Sequence, residues 1–141
     1  MRLKLSFAIA LLALAAACAT PMPEKPTSLD GTSWQLVKFT GGDGNVLTPD
    51  DKSKYTLAFN ANGTLNARID CNRGRGGWKS AGNGHLELGA MAVTRAMCPP
   101  GSIDHEIAKR LHHVRSYVIK DGRLFLSMMA DGGIFEFEPA P

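Results

Sequence analysis

The chain has 141 residues, 44% of them hydrophobic and 21% charged, with 16 lysines and arginines against 13 acidic side chains. That apolar content excludes an intrinsically disordered chain. Two of the basic residues, Arg2 and Lys4, fall in a predicted leader, so the remainder is nearly charge-balanced and gives no argument for nucleic acid as a partner.

The N-terminus has the three parts of a secretory signal. Arg2 and Lys4 make a positive start, Leu5 to Leu14 is an apolar run, and Ala15-Ala16-Ala17 is a small-residue stretch ahead of Cys18. The run of ten residues is short of the roughly 20 that cross a bilayer as a helix. Leu14-Ala15-Ala16-Ala17-Cys18 resembles the bacterial lipobox, in which the cysteine is acylated and becomes the first residue of the mature chain; Ala15 stands where that motif prefers leucine. The resemblance implies a lipoprotein signal peptide over 1–17 and a membrane anchor on Cys18. Ala19 after the cysteine points to the outer membrane, facing the periplasm. Residues 18–28 hold three prolines and no apolar period, which reads as a flexible tether. Residues 29–141 then form one domain of about 110 residues.

Strand patterns dominate that domain. Thr32 to Phe39 alternates, with Trp34 and Leu36 on one side and Val37 and Phe39 on the other. Residues 40–52 read as a loop. Tyr55 to Phe59 and Thr64 to Cys71 flank a turn at Asn60-Ala61-Asn62-Gly63. Period two places Leu65, Ala67, Ile69 and Cys71 on one face, which predicts that Cys71 points into the core. Asn72 to Gly84 reads as a glycine-rich loop carrying Trp78, followed by short strands at 85–89 and 91–97 and a break at Pro99-Pro100. One helix follows, capped by Ser102, with Asp104 and Glu106 in its first turn and Ile103, Ile107, Leu111 and Val114 as its apolar stripe. Asp121-Gly122 joins a hairpin of Ser116–Lys120 and Arg123–Met129, and Ile134–Glu138 is the last strand. The expected fold is α+β: a curved, mainly antiparallel β-sheet of about eight short strands, barrel-like and packed on one amphipathic helix.

Three cysteines are present. With Cys18 assigned to the anchor, Cys71 and Cys98 are expected to pair in an oxidising compartment, closing a ring of about 28 residues for about 3–4 kcal/mol in the chain-entropy model.

Gly31-Thr32-Ser33-Trp34-Gln35-Leu36, Phe59-Asn60-Ala61-Asn62-Gly63, Asp70-Cys71-Asn72, Thr94-Arg95-Ala96-Met97-Cys98 and Asp121-Gly122-Arg123-Leu124 follow one another in an order that resembles the META domain of heat-shock-associated bacterial lipoproteins of the HslJ type. The resemblance spans nearly all of 29–138. Its specific parts are the Cys-Asn and Thr-x-x-Met-Cys segments. It implies a META-type fold, a curved sheet around a helix similar to the cracked barrel of secretin pilot lipoproteins. It also implies an association with heat shock and drug tolerance, and no enzymatic activity. Trp78 departs from the family, which often places a tyrosine-like aromatic after the glycine stretch without the preceding arginines.

The residues offer few sites. Asn72, Arg73, Arg75 and Trp78 make a candidate partner-binding loop; RNA-binding glycine-arginine boxes come in repeated disordered tracts, and this one is single. Cys71 and Cys98 lack redox C-x-x-C spacing. His85, His105, His112 and His113 lack metal-ligand spacing, Asp50, Asp51 and Asp70 read as turn residues, and Ser33, Ser53 and Ser127 lack a nucleophile elbow. Met91, Met97, Met128 and Met129 with Phe125 and Phe135 are either core or the wall of a lipid pocket. The expectation is therefore a non-enzymatic envelope lipoprotein with no catalytic residues, metal or cofactor. It supports envelope integrity, assembly or stress tolerance through a protein partner. The alternatives are a carrier of a lipid or small apolar ligand, and an inhibitor of an envelope protease acting through 72–84.

Overall fold

The computed structural model describes residues 27–141; the predicted signal, Cys18 and most of the tether lie outside the described residues. The fold begins at Leu29, fully buried, whose carbonyl accepts hydrogen bonds from the backbone N–H and Oγ1 of Thr32.

Ten strands follow: β1 (Thr32–Gly41), β2 (Val46–Leu47), β3 (Tyr55–Phe59), β4 (Thr64–Ile69), β5 (Asn72–Gly82), β6 (His85–Leu88), β7 (Ala92–Val93), β8 (Val114–Lys120), β9 (Arg123–Met128) and β10 (Gly133–Pro139). All pair antiparallel. Eight of them run in the order β10-β9-β8-β6-β5-β4-β3-β1, and β10 pairs back onto β1, closing a barrel; β2 and β7 are short additions to β1 and β5. The one α-helix among the described residues, α1 (Asp104–Leu111), stands between β7 and β8 in the chain. The expected strand count and helix are present, and the sheet closes completely, which removes its edges.

Alternation fills the barrel. β3 buries Tyr55, Leu57 and Phe59, β4 buries Leu65, Ala67 and Ile69, and β10 buries Phe135 and Phe137. β1 departs from the simple period. A bulge between Leu36 and Lys38 shifts the register, so Phe39 returns to the interior with Trp34 and Leu36 instead of facing out. The 40–52 segment is likewise not wholly loop, since β1 continues to Gly41 and β2 pairs with its end.

The thinnest seam lies between β6 and β8. One register pair, His85 with Ser116, joins them, and the Tyr117 N–H donates to the Gly84 carbonyl at 2.8 Å. α1 buries Ile107 and Leu111 against Leu36, Tyr55, Leu57, Ile69 and Phe137, leaving a void of only about 10 Å³ among them. The helix is shorter than its apolar stripe suggests, because Val114 already belongs to β8. The N-cap is Ile103, which makes no side-chain cap bond, rather than the expected Ser102; Ser102 stands one residue earlier and its hydroxyl accepts the Asp104 N–H at 3.2 Å.

Two further expectations fail. Cys71 is exposed, because Asp70 takes a left-handed conformation (φ 56°) that ends β4 after Ile69 and breaks the alternation. The glycine-rich stretch after it is not a loop but β5, paired with β4 over Asn72–Gly77 and with β6 and β7 on its other edge. Its glycines answer a packing demand. A Cβ on Gly76 would stand 3.0 Å from the Ala90 carbonyl oxygen and 3.2 Å from Met91 Cα, so residues 90–91 can lie on that face only over glycine.

Candidate functional site

The polar side chains with the fewest paths to water gather at one end of the barrel, around the turn from β4 to β5. Cys71 and Cys98 are joined there, with their Cα atoms 5.5 Å apart. Beside them Asn72, only 3% exposed, makes a set of hydrogen bonds to the segment that leads from β7 to α1. Its Oδ1 accepts from the Ala96 N–H and the Thr94 hydroxyl, each at 2.8 Å. Its Nδ2 donates to the Ala96 carbonyl at 3.0 Å and to Asp104 Oδ2 at 3.2 Å. The ladder between β5 and β7 continues in parallel with this, since Arg73 N–H donates to Thr94 Oγ1 and Thr94 N–H donates to the Arg73 carbonyl, both at 2.9 Å. Residues 94–98 are therefore fastened along 71–73 at every second position.

A second chain of bonds reaches the helix. The Asp104 carboxylate, 7% exposed, accepts from the Ser102 hydroxyl at 3.0 Å. Ser102 Oγ lies 3.3 Å from Tyr55 Oη, which also accepts the Ile103 N–H at 3.1 Å and faces the buried Asp70 carboxylate at 3.5 Å. Among the described residues no buried side-chain nitrogen or oxygen lacks a partner. These groups hold one another; none is left aimed at an empty position where a substrate could sit.

The residues singled out from the sequence separate here. Asn72 is the buried hub. Arg73 and Arg75 alternate outward from it along β5, exposed, and enter none of the ion pairs among the described residues. Arg68 stands directly opposite Arg73 on β4, and both guanidinium groups donate to the Asp70 carbonyl, at 3.3 and 3.4 Å. Trp78 belongs elsewhere. Its ring meets Phe59 edge-on at 5.4 Å and its Nε1 donates to the Asn60 carbonyl, so it covers the core and pins the β3–β4 turn. Sequence reasoning missed Asp104 and Tyr55 as members of the network; a first-turn acid and a strand tyrosine carry no signal that they meet.

Between α1 and residues 91–95 lies an open cleft of about 350 Å³. Ile69, Met91, Val93 and Ala108 give it apolar walls, and Arg95, His105, Lys109 and His112 bring a basic character to its lining. The methionines and phenylalanines considered as a lipid pocket do not converge. Met97 is 98% exposed while Phe135 is fully buried. No group of three or more potential metal ligands occurs among the described residues.

The META domain family model matches residues 27–141, and the chain belongs to that family. Among solved structures it is similar to the NMR structure of a protein from Burkholderia xenovorans, at 22% identity and a TM-score of 0.67, over 93% of this chain and 99% of that one. It is also similar to the crystal structure of a duf4847 family protein from Bacteroides vulgatus, at 18% identity and a TM-score of 0.56, over 77% of this chain and 92% of that one. At these identities the likeness is one of fold. No curated protein matches.

Proposed function

We propose that this META domain protein is a non-enzymatic component of the cell envelope, anchored through Cys18, that works by binding another protein. One observation carries the reading. The buried polar residues of the disulfide end are engaged in fixing a surface segment, residues 94–98, through Asn72 and the Cys71–Cys98 bond. A fixed surface suits recognition, because a partner does not have to order it on binding. Envelope integrity, assembly or stress tolerance would follow from that partner.

The alternatives have less support. A carrier of an acyl chain needs an enclosed apolar cavity; the inner contact of α1 with the barrel leaves about 10 Å³, and the cleft of about 350 Å³ beside the helix is open and lined by Arg95, His105, Lys109 and His112 as well as by apolar side chains. A protease inhibitor acting through 72–84 needs a protruding loop, and that segment is a paired strand up to Gly82. Chemical crosslinking of the full-length chain in intact membranes, followed by purification, tests the reading. A stoichiometric protein adduct supports it; lipid as the sole copurifying species would return the carrier.

A further inference from the structure

Met97 is 98% exposed, the most exposed of the large apolar side chains among the described residues. It is not on a slack loop. Ala96 before it has both backbone groups bonded to the Asn72 side chain, and Cys98 after it is bonded to Cys71. Its neighbours Ala96, Pro99 and Pro100 are exposed as well, so a short apolar ridge stands in solvent on a fixed backbone. Two prolines stiffen its far side.

Basic groups flank this ridge. Arg73 lies across from Thr94 on the outward face, Arg68 lies across from Arg73, and Arg95 stands two residues before Met97. Like charges facing each other across strands, as Arg68 and Arg73 do, work against the fold. Asp70, the nearest acid in sequence, is buried and turned toward Tyr55. A partner carboxylate placed between the arginines would relieve their repulsion.

The position also bears on the occupant. Thr27, where the described chain starts, shares a shallow cleft with the Gly82–Gly84 turn and with β8. That turn closes β5 at the end opposite Asn72, about 30 Å away along the strand at 3.3 Å per residue. The ridge therefore lies at the end of β5 far from Thr27, where the segment leading back to the proposed anchor joins the domain.

We infer that the Ala96–Pro100 ridge and the arginines at 68, 73 and 95 form a docking surface for an acidic protein, with Met97 entering an apolar socket rimmed by carboxylates. This rests on the partner-binding reading above and adds its place and chemistry. An apolar core inside a polar rim, with Met and Arg enriched, is the common anatomy of a protein interface, and complementary charge around it selects the partner.

The test places a photo-crosslinking phenylalanine analogue at position 97 of the full-length chain in its own membranes, with position 118 as control. Val118 is also exposed, at 55%, and lies on β8 beside Thr27. The expected result is an adduct with one protein whose crosslinked peptide is rich in Asp and Glu. Its yield should fall at least tenfold when Arg73→Glu and Arg95→Glu are combined, with the thermal midpoint of the variant no lower than the parent's, since Arg73→Glu replaces the repulsion of Arg68 by an attraction. Adducts at 97 that ignore charge reversal, or that contain only phospholipid or a second copy of this chain, would overturn the assignment. A protein adduct at 118 but none at 97 would overturn this surface and leave partner binding standing. Protein adducts at neither position would overturn both.

Discussion

Asn72 holds Ala96 as a neighbouring strand would, accepting its N–H at 2.8 Å and donating to its carbonyl at 3.0 Å through one side-chain amide. The remaining capacity of that amide goes to the Thr94 hydroxyl and the Asp104 carboxylate. One residue therefore sets the path of the segment before α1 and the position of the helix start.

Asn72→Ala should cost about 3 kcal/mol, because it strands buried polar partners as well as removing bonds. Asn72→Asp should be no milder at neutral pH. The new carboxylate cannot donate to Ala96, and it faces Asp104. Its own proton affinity would rise in the folded state, so the native form binds more protons than the unfolded one and the deficit shrinks as pH falls. Urea unfolding of both variants at pH 7 and pH 5 measures this; a deficit for Asn72→Asp that grows on acidification would contradict it.

Removing the disulfide by Cys71→Ser with Cys98→Ser should lower stability by about 3.5 kcal/mol in the chain-entropy model. The fold should survive, because Asn72 fastens Ala96 independently of the sulfurs. Thermal melts should show a midpoint lower by about 10 °C or more, as expected for a loss of this size in a domain of about 110 residues, with an unchanged far-ultraviolet spectrum at 20 °C. Loss of the strand signal in the double variant would show that the disulfide carries the fold.

Gly133 separates close packing from turn geometry. At φ +137°, a Cβ there would stand 2.5 Å from both the Phe39 ring and the Thr40 carbonyl oxygen, whereas one on Gly122 meets nothing within 4 Å. Gly133→Ala should cost roughly 3 kcal/mol or more, and Gly122→Ala roughly 1 kcal/mol, the left-handed backbone alone. Equal costs in denaturant titrations would contradict the placement of β10 against β1.

The barrel closure carries a pH dependence. Lys52 and Gln35 both donate to Glu138 Oε1, at 3.0 and 2.8 Å, and hold this carboxyl below the ordinary carboxylate range. A group with a depressed folded-state value stabilises above its unfolded pKa and loses that contribution as pH falls through the folded value. Glu138→Gln should therefore lower stability at pH 7 by under about 1 kcal/mol and flatten the loss between pH 5 and pH 3. An acid limb as steep as that of the parent would count against it.

The hairpins were legible because their signals are local. Asp121-Gly122 takes left-handed conformations at both positions, at φ 53° and 75°, as a two-residue turn requires. What escaped depends on partners remote in the chain. Phe39 faces inward through a bulge set by β10, and the glycines of β5 look like a loop until residues 90–91 are seen lying on them. Cys71 is the local exception: it faces out because the adjacent Asp70 takes a left-handed conformation that period-two alternation does not anticipate. At the candidate site the sequence marked Asn72 and both cysteines. It could not show that Tyr55, Ser102 and Asp104 join them, since Tyr55 and Ser102 are 47 residues apart.

The central claim is that residues 94–98 are a fixed surface rather than a loose connection, and the Ala96 amide reports on it most directly. Amide exchange resolved at that residue should be slowed by about 100-fold or more against the unstructured rate in the parent protein, a local opening energy of a few kcal/mol. In Asn72→Ala the slowing should vanish while the Ile107 amide, bonded to the Ile103 carbonyl, stays protected. Exchange of the Ala96 amide at the unstructured rate in the parent, or unaltered protection in the variant, would contradict the account.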